Sequence, residues 1–171
     1  LDGVGRFSGR VLSNPTAIHG FLMVCKCFYM FYICFAFYIV FSCKILFEIL
    51  KNLKDINIFI SSPNADSHSG IIRKKIDTFI KHNDNAYFFE NLGFLNYLSL
   101  SKYCHFIIGN SSSAITEMPF LGTPSIVMGL RQKGRPYAKS VFSTEYSKKK
   151  IKIAIQYLLK KKRSYKNQKL F

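Results

Sequence analysis

Ile108-Gly109-Asn110-Ser111-Ser112-Ser113-Ala114-Ile115-Thr116-Glu117, followed by Pro119, Gly122-Thr123-Pro124 and Arg131-Gln132-Lys133-Gly134-Arg135, sets the fold class of this chain. It reads as a buried strand, a turn of small residues, a helix start, a second buried strand and a basic loop. A strand–turn–helix of this kind offers free backbone N–H groups and serine hydroxyls at the positive end of a helix, where a phosphate is held well. Glu117 falls about two turns into that helix, within reach of whatever is esterified to the phosphate. A phosphate site beside a carboxylate that accepts from two hydroxyls fits a nucleoside diphosphate with its ribose. An ordinary serine N-cap followed by a solvated glutamate explains the same residues without a ligand.

Outward from this stretch, helical and strand patterns alternate. Ile45, Leu46, Ile49, Leu50 and Leu53 fall at helical spacing, and 56–60 is a short apolar run suited to a buried parallel strand. Ile71, Ile72, Ile76, Phe79 and Ile80 mark a second amphipathic helix, and 86–89 a second strand. Residues 94–103 read as a short helix with its apolar side chains against a sheet, and 105–108 and 125–128 as two further strands. The spacing predicts a closing helix over 147–160 whose core face carries Ile151, Ile153, Ala154, Tyr157 and Leu158. Such alternation argues for an α/β, Rossmann-like parallel sheet with helices on both faces. Ligands of these sheets bind at the carboxyl ends of the strands. Asn64, Gly93, Gly109, Asn110, Ser111, Ser112, Ser113 and the loop from Gly129 to Arg135 all fall at that edge.

Several ordered blocks give the chain a family likeness. Ser62-Pro63-Asn64-Ala65-Asp66, Asn91-Leu92-Gly93 with Tyr97-Leu98-Ser99-Leu100, Gly109 to Ser113, Glu117, Gly122-Thr123-Pro124, Arg131 to Arg135 and Ala138-Lys139-Ser140-Val141 keep a plausible order and spacing. Together they resemble the UDP-N-acetylglucosamine 2-epimerase family, and within it the hydrolysing branch of sialic and legionaminic acid biosynthesis. The resemblance implies two Rossmann-like domains of the GT-B type with the active site between them. It runs only over the second domain, so the expectation is a fragment lacking its N-terminal domain. It also implies UDP or a UDP-sugar as ligand, no cofactor, no metal, a cytoplasmic location and a homo-oligomeric full-length enzyme.

The implied roles are specific. Ser111 and Ser112 cap the helix and bond the diphosphate, Glu117 accepts from the ribose hydroxyls, and Arg131 and Arg135 line the nucleotide site, Arg131 nearer the phosphates. Asn64 and Asp66 shape the pocket, although an Asx turn explains them as well. Ala114 stands where the family has glycine. The acid–base carboxylates of the reaction belong mainly to the first domain of the family, so no catalytic residue is assigned here and the isolated chain is expected to be inactive. The sugar itself is not named by these residues.

Composition supplies the rest. The formal net charge is +16, but ten of the 25 Lys and Arg lie between Lys148 and Lys169, as in a solvated helix face and tail, and no aromatics interleave in an RNA-binding pattern, so no nucleic-acid partner is expected. Four of the five cysteines (Cys25, Cys27, Cys34 and Cys43) crowd one apolar run at spacings that match no zinc site, and Cys104 reads as a small buried hydrophobe. His68, His82 and His105 are isolated and read as surface or strand-edge residues.

The chain divides into an unmatched segment over 1–43, a nucleotide-binding domain over 44–163 and a basic tail over 164–171. Cys27 to Cys43 are 17 residues without a charge, and the histidine-containing loop of the family has no counterpart there. The run 21–43 has three readings: a membrane anchor, a buried strand–helix pair, or out-of-frame translation. Two other functions therefore stay open beside the epimerase half: a membrane-associated, non-catalytic remnant and the nucleotide domain of a GT-B glycosyltransferase.

Overall fold

The computed structural model describes residues 30–34, 40–62 and 69–161. Six strands, β1 (Met30–Cys34), β2 (Asn57–Ser61), β3 (Ala86–Phe89), β4 (Phe106–Gly109), β5 (Ser125–Met128) and β6 (Val141–Thr144), form one sheet in the order β3-β2-β1-β4-β5-β6. Every neighbouring pair is parallel. Among the described residues six helices accompany them: α1 (Val40–Leu50), α2 (Ser69–Lys81), α3 (Gly93–Tyr103), α4 (Ser113–Thr116), α5 (Met118–Leu121) and α6 (Lys148–Lys160).

Side chains alternate across the strands, and the sheet is apolar on both sides. Ile58, Ile60, Phe106, Ile108, Ile126 and Met128 join one core with Leu46, Leu50, Ile76, Ile151 and Ile155 of α1, α2 and α6. Phe59, Phe89, Ile107 and Val127 join the other with Leu100, Cys104, Ile115 and Met118 around α3, α4 and α5. Burying each such side chain contributes roughly 1.5–3 kcal/mol, and the period of two along each strand divides them between the layers.

Local chemistry fixes the element ends. Asn85 donates to the Leu53 and Ile56 carbonyls, 2.6 Å each, bridging the turns before β2 and β3. Asn83, itself buried, caps α2 through a 2.7 Å bond to the Phe79 carbonyl. Ser147 accepts from the Lys150 N–H at the start of α6. Lys148 of α6 meets Glu48 of α1 at 2.6 Å, and that contact holds the Glu48 carboxyl below its ordinary range.

A strand of the sheet lies upstream of residue 44, where the sequence reading starts the nucleotide-binding domain. β1 lies inside the run 21–43 and is the central strand, paired with β2 from Met30↔Asn57 and with β4 up to Cys34↔Gly109. The part of that run within the described residues is thus strand and helix start. No helix among the described residues is long and apolar enough to cross a membrane.

Two apolar faces differ from expectation. On α6 the core residues are Ile151, Ile155 and Leu158, while Ile153 and Tyr157 are half exposed. Positions i, i+4 and i+7 share a face at 3.6 residues per turn, whereas i+2 points away. On α3 the first turn leaves Phe94 and Leu95 in solvent, and Tyr103 is exposed at the other end.

Candidate functional site

The strand order reverses its direction of growth between β1 and β4, and the crevice at their carboxyl ends is where doubly wound sheets take their ligands. Gly109 ends β4 there, beside Cys34 of β1. Asn110 is buried, Ser111 and Ser113 are half-buried and Ser112 is exposed. Among the described residues, the backbone N–H groups of Ser111 and Ser112 donate to no protein acceptor. Two successive open N–H groups are the donor set an anion needs.

The helix that follows is shorter than the sequence suggests. α4 is a single turn, closed by bonds from Thr116 N to Ser112 O and from Glu117 N to Ser113 O, both 3.0 Å. Pro119 lacks an N–H and opens α5, which ends on Gly122 in the left-handed conformation (φ 64°). One turn of helix contributes little dipole, so the weight of anion binding falls on the open N–H groups and nearby cations. Ser112 makes no side-chain cap, and the Ser111 hydroxyl accepts from the Ser113 N–H at 3.4 Å.

Glu117 therefore sits at the junction of two short helices, half-buried, with the Thr116 hydroxyl 2.8 Å from its Oε2. Ser125, at the start of β5, donates to the Ala114 carbonyl at 2.6 Å, and Thr123 donates to the Ser101 carbonyl at 2.9 Å. These bonds tie α4 to β5 and α5 to α3. Tyr97 of α3 reaches the turn directly, its hydroxyl 2.5 Å from that of Ser113.

The basic loop follows β5. Gly129 has φ 78°, its N–H donates to the Thr144 carbonyl at 2.8 Å, and a Cβ there would lie 2.3 Å from the Tyr146 ring. Leu130, Arg131, Lys133, Gly134 and Arg135 are exposed, and no hydrogen bond or ion pair reaches either guanidinium from the described residues. Gln132 alone is turned inward, 3% exposed, with its Nε2 donating to the Asn110 carbonyl at 3.0 Å. Lys133, Gly134 and Arg135 of the loop also line an open groove of about 730 Å³ that reaches Phe142, Lys150 and Tyr157.

The structure thus brings Gly109, Asn110, Ser111, Ser112, Glu117 and the loop carrying Arg131 and Arg135 to one edge of the sheet. Asn64, Asp66 and His68 lie outside the described residues. Sequence reasoning passed over Tyr97 and Gln132 as site residues, though both stand inside the blocks that carry the family likeness. His105 and His82 each bond a main-chain carbonyl, of Leu158 and Thr78 respectively, at 2.8 Å. Cys104 is buried in the core around α3. No group of three or more His, Cys, Asp or Glu able to hold a metal occurs among the described residues.

Comparison with known proteins agrees with this architecture. The family model for UDP-N-acetylglucosamine 2-epimerase matches residues 39–170. The GDP/UDP-N,N'-diacetylbacillosamine 2-epimerase (hydrolyzing) of Campylobacter jejuni is 39% identical over 103 residues, 60% of this chain and 27% of that protein. The UDP-N-acetylglucosamine 2-epimerase of Neisseria meningitidis serogroup B is 37% identical over 100 residues, 58% of this chain and 26% of its own length. The chain therefore spans about a quarter of the curated relatives it matches. In structure it is similar to S. aureus MnaA solved with UDP, at a TM-score of 0.67 and 18% identity, covering 84% of this chain and 40% of that one. It is similar also to the Neisseria meningitidis enzyme bound to UDP-GlcNAc, at a TM-score of 0.66 and 17% identity, covering 89% of this chain and 43% of that one. With a family match over most of its length, the chain belongs to the UDP-N-acetylglucosamine 2-epimerase family.

Proposed function

We propose that this chain is the nucleotide-binding half of a hydrolysing UDP-N-acetylglucosamine 2-epimerase and is inactive alone. The observation that carries the proposal is the grouping, at the carboxyl edge of the sheet, of two N–H groups without an acceptor among the described residues, the half-buried Glu117 and the exposed basic loop that Gln132 ties to Asn110. The diphosphate binds at Ser111 and Ser112 with Arg131, the ribose hydroxyls donate to Glu117, and Arg135 supports the same anion. The hydrolysing assignment is supported by the relative from Campylobacter jejuni, which is named as hydrolyzing. In that reaction the C2 proton of UDP-N-acetylglucosamine is removed and the C1–O bond breaks, releasing UDP. Water then adds to the glycal to give N-acetylmannosamine.

Proton abstraction and water addition need at least two placed acid–base groups, and losing one typically costs ~10²–10⁴ in rate. Among the described residues Glu117 is the carboxylate of the assembled site, and its proposed partner is the ribose. The chemistry is therefore assigned to a first domain outside the matched stretch. The test has two parts: calorimetry of the chain with UDP, and NMR of the chain at high concentration with UDP-N-acetylglucosamine. Binding of UDP without release of N-acetylmannosamine is expected. Absence of UDP binding overturns the nucleotide reading, and turnover that Glu117→Ala abolishes overturns the placing of the catalytic groups.

A further inference from the structure

Gln132 has an unusual setting. It is a polar side chain at 3% exposure in a loop whose neighbours on both sides, Arg131 and Lys133, are exposed. Its amide nitrogen crosses to the turn after β4 and donates to the Asn110 carbonyl at 3.0 Å, 22 residues away in sequence. Its own backbone carbonyl accepts from the Tyr137 hydroxyl at 3.2 Å and from the Arg135 N–H at 3.3 Å. One residue thus holds the loop to the phosphate turn by its side chain and holds the loop's shape by its main chain. Arg131 precedes it directly and Arg135 is bonded to it, while Gly134, in the left-handed region at φ 87°, lets the loop turn between them.

The other half of the amide is unspent. Gln132 Oε1 is buried and has no hydrogen-bond partner among the described residues. An unsatisfied buried acceptor is costly, and an apolar side chain of the same shape avoids that cost. Filling the space is thus better done by methionine or leucine, and what glutamine adds here is the donor to Asn110. That donor ties the loop carrying Arg131 and Arg135 to the turn that carries the N–H groups of Ser111 and Ser112.

We propose that Gln132 is a positioning residue: through its bond to Asn110 it fixes Arg131 and Arg135 against the phosphate turn, so that both sides close on one diphosphate. The assignment rests on the nucleotide reading above. It makes Gln132 act through the two arginines and not by touching the ligand.

A double-mutant cycle on the full chain with UDP as the probe tests this, because coupling between sites appears as non-additivity. Gln132→Met, which keeps the volume and loses the donor, is expected to weaken UDP about tenfold in the native background and less than twofold in an Arg131→Ala/Arg135→Ala background. The arginine double variant alone is expected to lose roughly 10- to 100-fold. The salt dependence of UDP binding flattens in Gln132→Met as in the arginine variant, since fewer cation–phosphate contacts remain to be screened. A purely structural glutamine gives equal losses in both backgrounds with an unchanged salt slope, and that result overturns the proposal. Should Gln132→Met not fold, the arginine double variant, whose side chains are exposed, still decides. Unchanged UDP affinity there overturns the proposal whatever Gln132 does. Failure of the native chain to bind UDP at millimolar concentration is the separate failure of the nucleotide reading, and the proposal falls with it.

Discussion

Glu117 and Gly129 show how much of this site depends on single positions. Glu117 stands at the junction of α4 and α5 with only the Thr116 hydroxyl on its carboxylate among the described residues, so it has acceptor capacity to spare. If that capacity serves a ribose, its loss is selective. Glu117→Ala is expected to weaken UDP by roughly 10- to 100-fold, the scale of a lost charge-assisted contact of ~1.5–3 kcal/mol, and to leave pyrophosphate almost unaffected. Equal losses for the two ligands by calorimetry rule the ribose role out. Gly129 is constrained by space as well as by torsion, because its φ of 78° is unfavourable for a side chain and the Tyr146 ring occupies the place of a Cβ. Left-handed backbone costs about 1–2 kcal/mol with a Cβ present. Gly129→Ala is expected to lower stability by at least ~2 kcal/mol in urea titration, and Tyr146→Ala in the same chain to recover part of it. Full stability of Gly129→Ala alone contradicts the close approach of that ring.

At the scale of elements, α6 offers the sharpest contrast. Ile155 is buried against α1 and the sheet, whereas Ile153, two residues earlier, is 55% exposed. Ile155→Ala is expected to cost about 2–5 kcal/mol and Ile153→Ala less than ~0.5 kcal/mol in the same chemical melt. Similar costs for the two place the helix in a different rotation. The same helix shows where periodicity is legible and where it fails. Buried strands announce themselves as short unbroken apolar runs, and 86–89 and 125–128 coincide with β3 and β5. Val141–Thr144 gives no such run, because β6 is an edge strand with Ser143 in solvent. The reading of α6 admitted Ile153 and Tyr157 by their hydrophobicity, although neither shares the face of Ile151 and Ile155. The switch-point turn was legible because glycine, serine and glutamate have narrow conformational and chemical uses. Gln132 was not, because a glutamine between arginine and lysine looks solvated until a bond across 22 residues buries it.

At the scale of the whole molecule the decisive strand is the one least readable in the sequence. β1 lies in an aromatic apolar run with no glycine, proline or charge between Cys27 and Cys43 to punctuate it, so neither its ends nor its type stand out. Yet it pairs with β2 on one side and β4 on the other, and the hydrogen-bonded ladder between the β3-β2 half and the β4-β5-β6 half of the sheet runs through it. Without β1, β2 and β4 each present an unpaired edge, and the apolar faces of α1 and α3 lose the continuous sheet that covers them. The switch point goes with it, because the crevice lies between the carboxyl ends of β1 and β4. A chain truncated to begin at Lys44 is therefore expected to lose cooperative thermal unfolding and UDP binding together, even though it keeps Ser111, Ser112, Glu117 and the basic loop. Circular dichroism melts and calorimetry on the truncated chain and on residues 1–171 make the comparison. A cooperative transition at the full chain's Tm in the truncated form would show that the sheet closes without its central strand and that the boundary read from the sequence was the right one.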